Sequence, residues 1–128
     1  MERFFLVAAG INGVLAVGLG AFGAHGLQSR LAGLDDFERR MAWWQTASHY
    51  HLTHALALGL CAYLAQQKPG AAANLSGQAL LVGIVIFCGS LYAMTLGAPR
   101  WFGAITPIGG LALMLGWAAV AVGAWQLR

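Results

Sequence analysis

Hydrophobic residues fall along this chain in four long runs, separated by short stretches that collect charge, proline or glycine. The first run, about residues 4–24, contains no charge, and Asn12 is its one strongly polar residue. The second, about 44–64, opens Trp44-Gln45-Thr46-Ala47-Ser48-His49-Tyr50-His51 and carries His54 further in. The third, about 79–96, turns polar in its second half at Ser90, Tyr92 and Thr95. The fourth, about 105–125, has Pro107 in its first turn, where a missing N–H costs nothing. A helix that crosses the hydrocarbon of a bilayer needs roughly 20 mostly apolar residues. Each run therefore predicts one spanning helix. The expected fold is all-α, a four-helix transmembrane bundle running up-down-up-down, with residues 1–128 forming a single integral membrane domain.

The connecting stretches sharpen this picture. Glycines around His25 in Gly20-Ala21-Phe22-Gly23-Ala24-His25-Gly26-Leu27 predict a helix end with close backbone approach. Residues 28–41 hold most of the charge. Within them Leu34-Asp35-Asp36-Phe37-Glu38 reads as the start of a short interfacial helix before the second span, with Asp35 as N-cap and Glu38 at N3. Trp43 and Trp44 are placed as aromatic anchors at headgroup level. Residues 65–78 predict a solvated loop around Pro69-Gly70. The link 97–101 is short, so the last two helices should be antiparallel neighbours. Small residues recur at helical spacing, at Ala16, Gly20 and Ala24, at Gly89, Ala93 and Gly97, and at Ala112 with Gly116 and Ala119 with Gly123. Such lines let helices approach closely in lipid. They outnumber what one bundle requires, which predicts a homo-oligomer.

Composition agrees with a membrane protein. Of 128 residues, 59% are hydrophobic and 9% charged, against about a quarter charged in soluble domains. The net charge of +3 rests on seven basic residues spread along the chain. That distribution excludes a nucleic-acid surface, which needs a clustered basic patch. With an even number of spans, Arg3, Lys68 and Arg128 share one side, and Arg30, Arg39, Arg40 and Arg100 the other. The slight excess leans the second side toward the cytoplasm. Cys61 and Cys88 lie in different runs and read as small buried hydrophobes.

Antiparallel connection puts His25, Gln45, His49, His51, Tyr92, Thr95, Arg100 and Thr106 in one half of the bilayer, with His54 about 7–8 Å deeper than His49. On the second helix Gln45, His49 and Thr53 form one stripe, and His51 and His54 lie on another face. Such a helix should be central in the bundle and shielded from lipid. The candidate polar site is therefore His25, Gln45, His49, His51, His54, Tyr92 and Arg100. These side chains suit interhelical hydrogen bonds, or a site for a membrane-protein partner or a lipid. Other chemistries stay open. His25, His51 and His54 offer imidazoles to a metal, and His25 with His54 offers a bis-histidine haem site. His51, His54, Tyr92 and Arg100 offer donors to a quinone or lipid headgroup, and titrating histidines offer a proton path. The interaction reading expects colourless, metal-free protein whose stability His51→Ala barely changes without a partner. The cofactor reading expects absorbance or bound metal. No phosphate loop, nucleotide fingerprint or metalloprotease motif is present, and no cofactor or catalytic residue is assigned.

Four stretches carry a resemblance. Gly20 to Leu27, Trp44-Gln45-Thr46-Ala47 with His51 and His54-Ala55-Leu56-Ala57-Leu58, Phe87-Cys88-Gly89-Ser90-Leu91-Tyr92, and Thr106-Pro107-Ile108-Gly109-Gly110 resemble the domain of unknown function 423 family. That family includes small bacterial inner-membrane proteins and is similar to transmembrane protein 256 of animals. The resemblance covers essentially the whole chain. It implies a four-span protein of the inner membrane and no established activity.

Overall fold

The computed structural model describes residues 1–127. They are all-α, with no strand among the described residues. Four long helices make up the fold: α1 (Glu2–Leu31), α2 (Phe37–Gln67), α3 (Ala71–Thr95) and α4 (Phe102–Trp125). Each of α1 and α3 contains one wider π turn, Gly23–Leu27 and Ile84–Cys88. By length and composition α1, α3 and α4 can each cross a membrane. The longest helix, α2 at 31 residues, is not among them. It carries Arg39, Arg40, Gln45 and three histidines, and so is the least apolar of the four.

Several boundaries differ from expectation, each for a physical reason. The glycines at 20–26 do not end α1. Gly23 has ordinary helical angles, φ −61 and ψ −42. It is glycine because the Trp44 indole occupies the place of its Cβ. Trp44 is accordingly not a headgroup anchor. It is 2% exposed, and its Nε1–H donates to the Leu19 carbonyl at 2.8 Å. The expected interfacial helix is continuous with α2. Its N-cap is Asp36, not Asp35, and the Asp36 carboxylate accepts from Arg40 Nε instead of capping a backbone N–H. The 65–78 loop shrinks to Lys68, Pro69 and Gly70, because Ala71-Ala72-Ala73 are strong helix formers. α4 begins at Phe102, so Pro107 lies inside it and removes one ladder hydrogen bond.

Packing follows the helix order. α1 lies along α2, where Asn12 meets His51 and Leu19 meets Trp44, residue numbers rising on one helix as they fall on the other. α2 meets α3 through His51 with Tyr92 and Arg40 with Thr95. α3 lies along α4, with Gly83 against Leu113, Leu80 against Gly116, and Phe87 against Gly109. The apolar core toward the end that holds the N-terminus and Lys68 includes Phe5, Leu58, Cys61 and Leu80, all fully buried. Phe5 reaches across to α3, where its ring fills the notch at Gly77. Cys61 and Cys88 are free and buried in separate clusters.

The close approaches use only some of the small residues expected to make them. Ala16, Gly116, Ala119 and Gly123 are buried. Gly20 and Gly89 meet nothing within 4 Å, and Gly97 is the turn residue after α3, at φ 108. That left-handed conformation favours glycine.

Candidate functional site

The polar chemistry starts from the 100° step of α2. That step points Trp44, His51 and His54 inward and turns Gln45, His49 and Thr53 outward. His51 is 5% exposed and joins three helices. Its Nε2 lies 3.0 Å from Asn12 Oδ1 on α1, and its Nδ1 lies 3.2 Å from the Tyr92 hydroxyl on α3. Asn12 Nδ2 donates to the Ala8 carbonyl, which leaves Oδ1 as the acceptor toward His51. His51 is therefore protonated on Nε2 and accepts from the Tyr92 O–H at Nδ1. Asn12 makes the interhelical bond expected of a lone polar residue in an apolar span.

His54, also 5% exposed, has the opposite tautomer. Trp117 Nε1–H on α4 donates to its Nε2 at 3.1 Å, so Nδ1–H donates to the Tyr50 carbonyl at 2.6 Å. Trp117 was not singled out from the sequence. An indole N–H within an apolar span needs an acceptor even where the ring is 42% exposed, and that requirement was the available signal.

The seven candidate residues do not form one site. His51 and Tyr92 are bonded to each other. His54 faces α4, lining a groove of about 610 Å³ with Tyr50, Phe87 and Trp117. Gln45 lines a groove of about 350 Å³ between α1 and α2, together with Gln28, Glu38 and Ser48. Arg100 borders a cleft on another side, between α2, α3 and α4. His25 and His49 are exposed on α1 and α2. The expectation that all polar faces of α2 are shielded is corrected here. α2 packs between α1 and α3, and that leaves the Gln45, His49 and Thr53 side open. Among the described residues no three His, Cys, Asp or Glu gather to hold a metal ion. His51 and His54 both have their ring nitrogens engaged, so neither offers a free lone pair to a metal or haem.

At the arginine-rich end a clasp joins α2 to α3. Thr95 Oγ1 donates to the Arg40 carbonyl at 3.0 Å, and Arg40 Nη1 donates to the Thr95 carbonyl at 3.3 Å. Arg40 Nε donates to Asp36 at 3.0 Å. That hydrogen bond, and the guanidinium charge beside it, hold the Asp36 carboxyl below its ordinary value of 3.8. The folded form is thus the weaker proton binder. The stabilisation is present above the ordinary carboxylate value and is lost as the pH falls through the folded one. Between about pH 6 and about pH 3 the wild type should lose more melting temperature than Asp36→Asn. Parallel acid curves for the two proteins would refute this.

A family model described as protein of unknown function (DUF423) matches residues 19–110. UPF0382 membrane protein YwdK of Bacillus subtilis is 39% identical over 123 residues, 95% of this chain and 96% of its own length. UPF0382 inner membrane protein YgdD of Escherichia coli is 37% identical over 127 residues, 99% of this chain and 93% of its own. UPF0382 membrane protein SERP0230 of Staphylococcus epidermidis is 38% identical over 120 residues, 94% of this chain and 93% of its own. No solved structure matches the chain.

Proposed function

This chain belongs to the DUF423 family and is an integral membrane protein, and we propose that it works in the inner membrane by contact, as an interaction protein whose contact surface is the outward polar stripe of α2. All four helices span, up-down-up-down, as one domain. Support comes from the position of α2. It packs along α1 and α3 over most of its length, from Trp44 to the Cys61 region, and so shares their depth. A 31-residue helix is about 46 Å long, enough to cross with its charged first turns outside. The arginine-rich end faces the cytoplasm.

The observation that carries the reading is the exposure of Gln45 and His49, whose side chains have no hydrogen-bond partner among the described residues, although the His49 ring meets the edge of its neighbour Tyr50 at 6.3 Å. Thr53 satisfies its own hydroxyl on the His49 carbonyl at 2.8 Å. An outward amide and imidazole within a span call for a protein neighbour, because each such bond is worth about 1–2 kcal/mol in lipid at most. A second copy of the chain fits best. A side-chain amide is both donor and acceptor, so Gln45 is self-complementary across a two-fold axis. His51 and His54 support the same reading from the other side, since their rings hold the protein's own helices together.

Light scattering in mild detergent should find a dimer or larger for the wild type and a monomer for Gln45→Leu/His49→Leu. A wild type that is monomeric both in detergent and in nanodiscs would sink the second copy as occupant.

A further inference from the structure

We propose that the cleft where α2, α3 and α4 converge at the arginine-rich end binds the phosphate of an anionic phospholipid. The cleft encloses about 470 Å³. Arg39 on α2 and Arg100 in the link before α4 border it, and its apolar lining includes Trp43, Leu91, Met94 and Pro107. No aspartate or glutamate lines it. Both arginines are exposed, and neither guanidinium has an ion pair or hydrogen bond among the described residues, although Arg39 adds to the positive field at Asp36. Arg40, one residue on, differs: it is engaged by Asp36 and by the Thr95 carbonyl.

Two guanidinium forks bordering a cleft that no carboxylate lines match the oxygens of a phosphodiester, although Arg39 also borders the neighbouring groove at Asp35, Asp36 and Glu38. The apolar lining below them suits the start of an acyl chain and gives a soluble anion nothing to contact. Trp43, half-buried one turn further into α2, sits where interfacial indoles anchor. Basic pockets between helices at the cytoplasmic face are where anionic headgroups bind. A zwitterionic lipid carries the same phosphate but brings its own cation, which a cleft bordered by two arginines and no carboxylate disfavours.

This inference rests on the four-span placement proposed above, and the two fail separately. For the site, phosphatidylglycerol titrated into detergent-purified protein should raise the melting temperature with concentration, while phosphatidylcholine of matched chains should not. Arg39→Gln/Arg100→Gln should weaken that response about tenfold or more. Arg30→Gln, at the same end but outside the cleft, should keep it. Arg39→Lys/Arg100→Lys should keep part of it, since charge remains and the forks are lost. In phosphatidylcholine the double glutamine variant should melt with the wild type. A lower melting point there would assign the arginines to the fold and overturn the proposal. An equal response to phosphatidylcholine, a response to inorganic phosphate alone, or an undiminished response in the glutamine variant would also overturn it. For the placement, Arg39→Cys and Arg100→Cys should react with an impermeant maleimide from the same side of sealed vesicles. Labelling from opposite sides would remove the placement without deciding the lipid response.

Discussion

Replacing His51 with alanine will destabilise the protein by about 2–4 kcal/mol. The ring is buried between three helices, and its loss strands Asn12 Oδ1 on α1 and the Tyr92 hydroxyl on α3 at once. Interhelical hydrogen bonds in lipid average only about 0.6 kcal/mol. Most of the effect therefore comes from the void left by the imidazole and from the stranded groups that face it. This reverses the expectation, drawn from residue type alone, that His51→Ala would barely matter without a partner. A double-mutant cycle separates the bond from the void. Tyr92→Phe removes only the hydroxyl and should cost about 0.5–1.5 kcal/mol in the wild type and much less beside His51→Ala. Reversible unfolding in mixed micelles reads all four proteins. Full additivity, or a His51→Ala variant within about 0.5 kcal/mol of wild type, would show that the network is not a tie.

His51 also marks how much of the molecule was legible in the sequence. The apolar runs placed helices at all four expected positions, because a run of some twenty apolar residues has few other ways to satisfy its backbone in lipid. The 100° step assigned His51 and His54 to one side of α2 and Gln45 and His49 to another, and the structure keeps that division. What residue order could not supply was the neighbour on each side. Sharing one membrane half was read as converging on one site. Helices that pack side by side instead turned His54 toward Trp117, left Gln45 exposed at the rim of a groove between α1 and α2, and set Arg100 at the border of a separate cleft that Arg39 also borders.

Helix ends were misread for a related reason. A glycine loosens a backbone or lets another group come close, and both uses look alike in sequence. At Gly23 the second use holds, because Trp44 packs there. The signal was divided between residues 21 positions apart, and neither was informative alone. Pro107 falls in a first turn only if the helix starts where the fourth apolar run does, at about Ile105. The helix begins three residues earlier, at Phe102, with no side-chain cap at Trp101 to announce it.

The same ambiguity yields a second large effect, at Gly109. A Cβ added there would overlap the Phe87 backbone nitrogen and lie 2.7 Å from the Phe87 Cα. No rotamer change relieves a clash with backbone, so α4 must move away from α3. The Ser90–Thr106 hydrogen bond of 2.6 Å lies within a turn of the contact and would open with it. The expected cost of Gly109→Ala is about 3 kcal/mol, the upper end for overpacking. Two neighbours serve as controls. At Gly110 the nearest atoms to an added Cβ belong to the Phe87 ring, 3.8 Å away, an ordinary contact. At Gly89 an added Cβ meets nothing within 4 Å. Both substitutions should be tolerated, and Gly89→Ala should gain up to about 1 kcal/mol of helix propensity. Unfolding in mixed micelles orders the three variants. If Gly89→Ala proves the damaging change and Gly109→Ala the harmless one, the helices meet along the Gly89, Ala93 and Gly97 line that spacing alone suggests, and the contact of Gly109 with Phe87 does not hold α3 to α4.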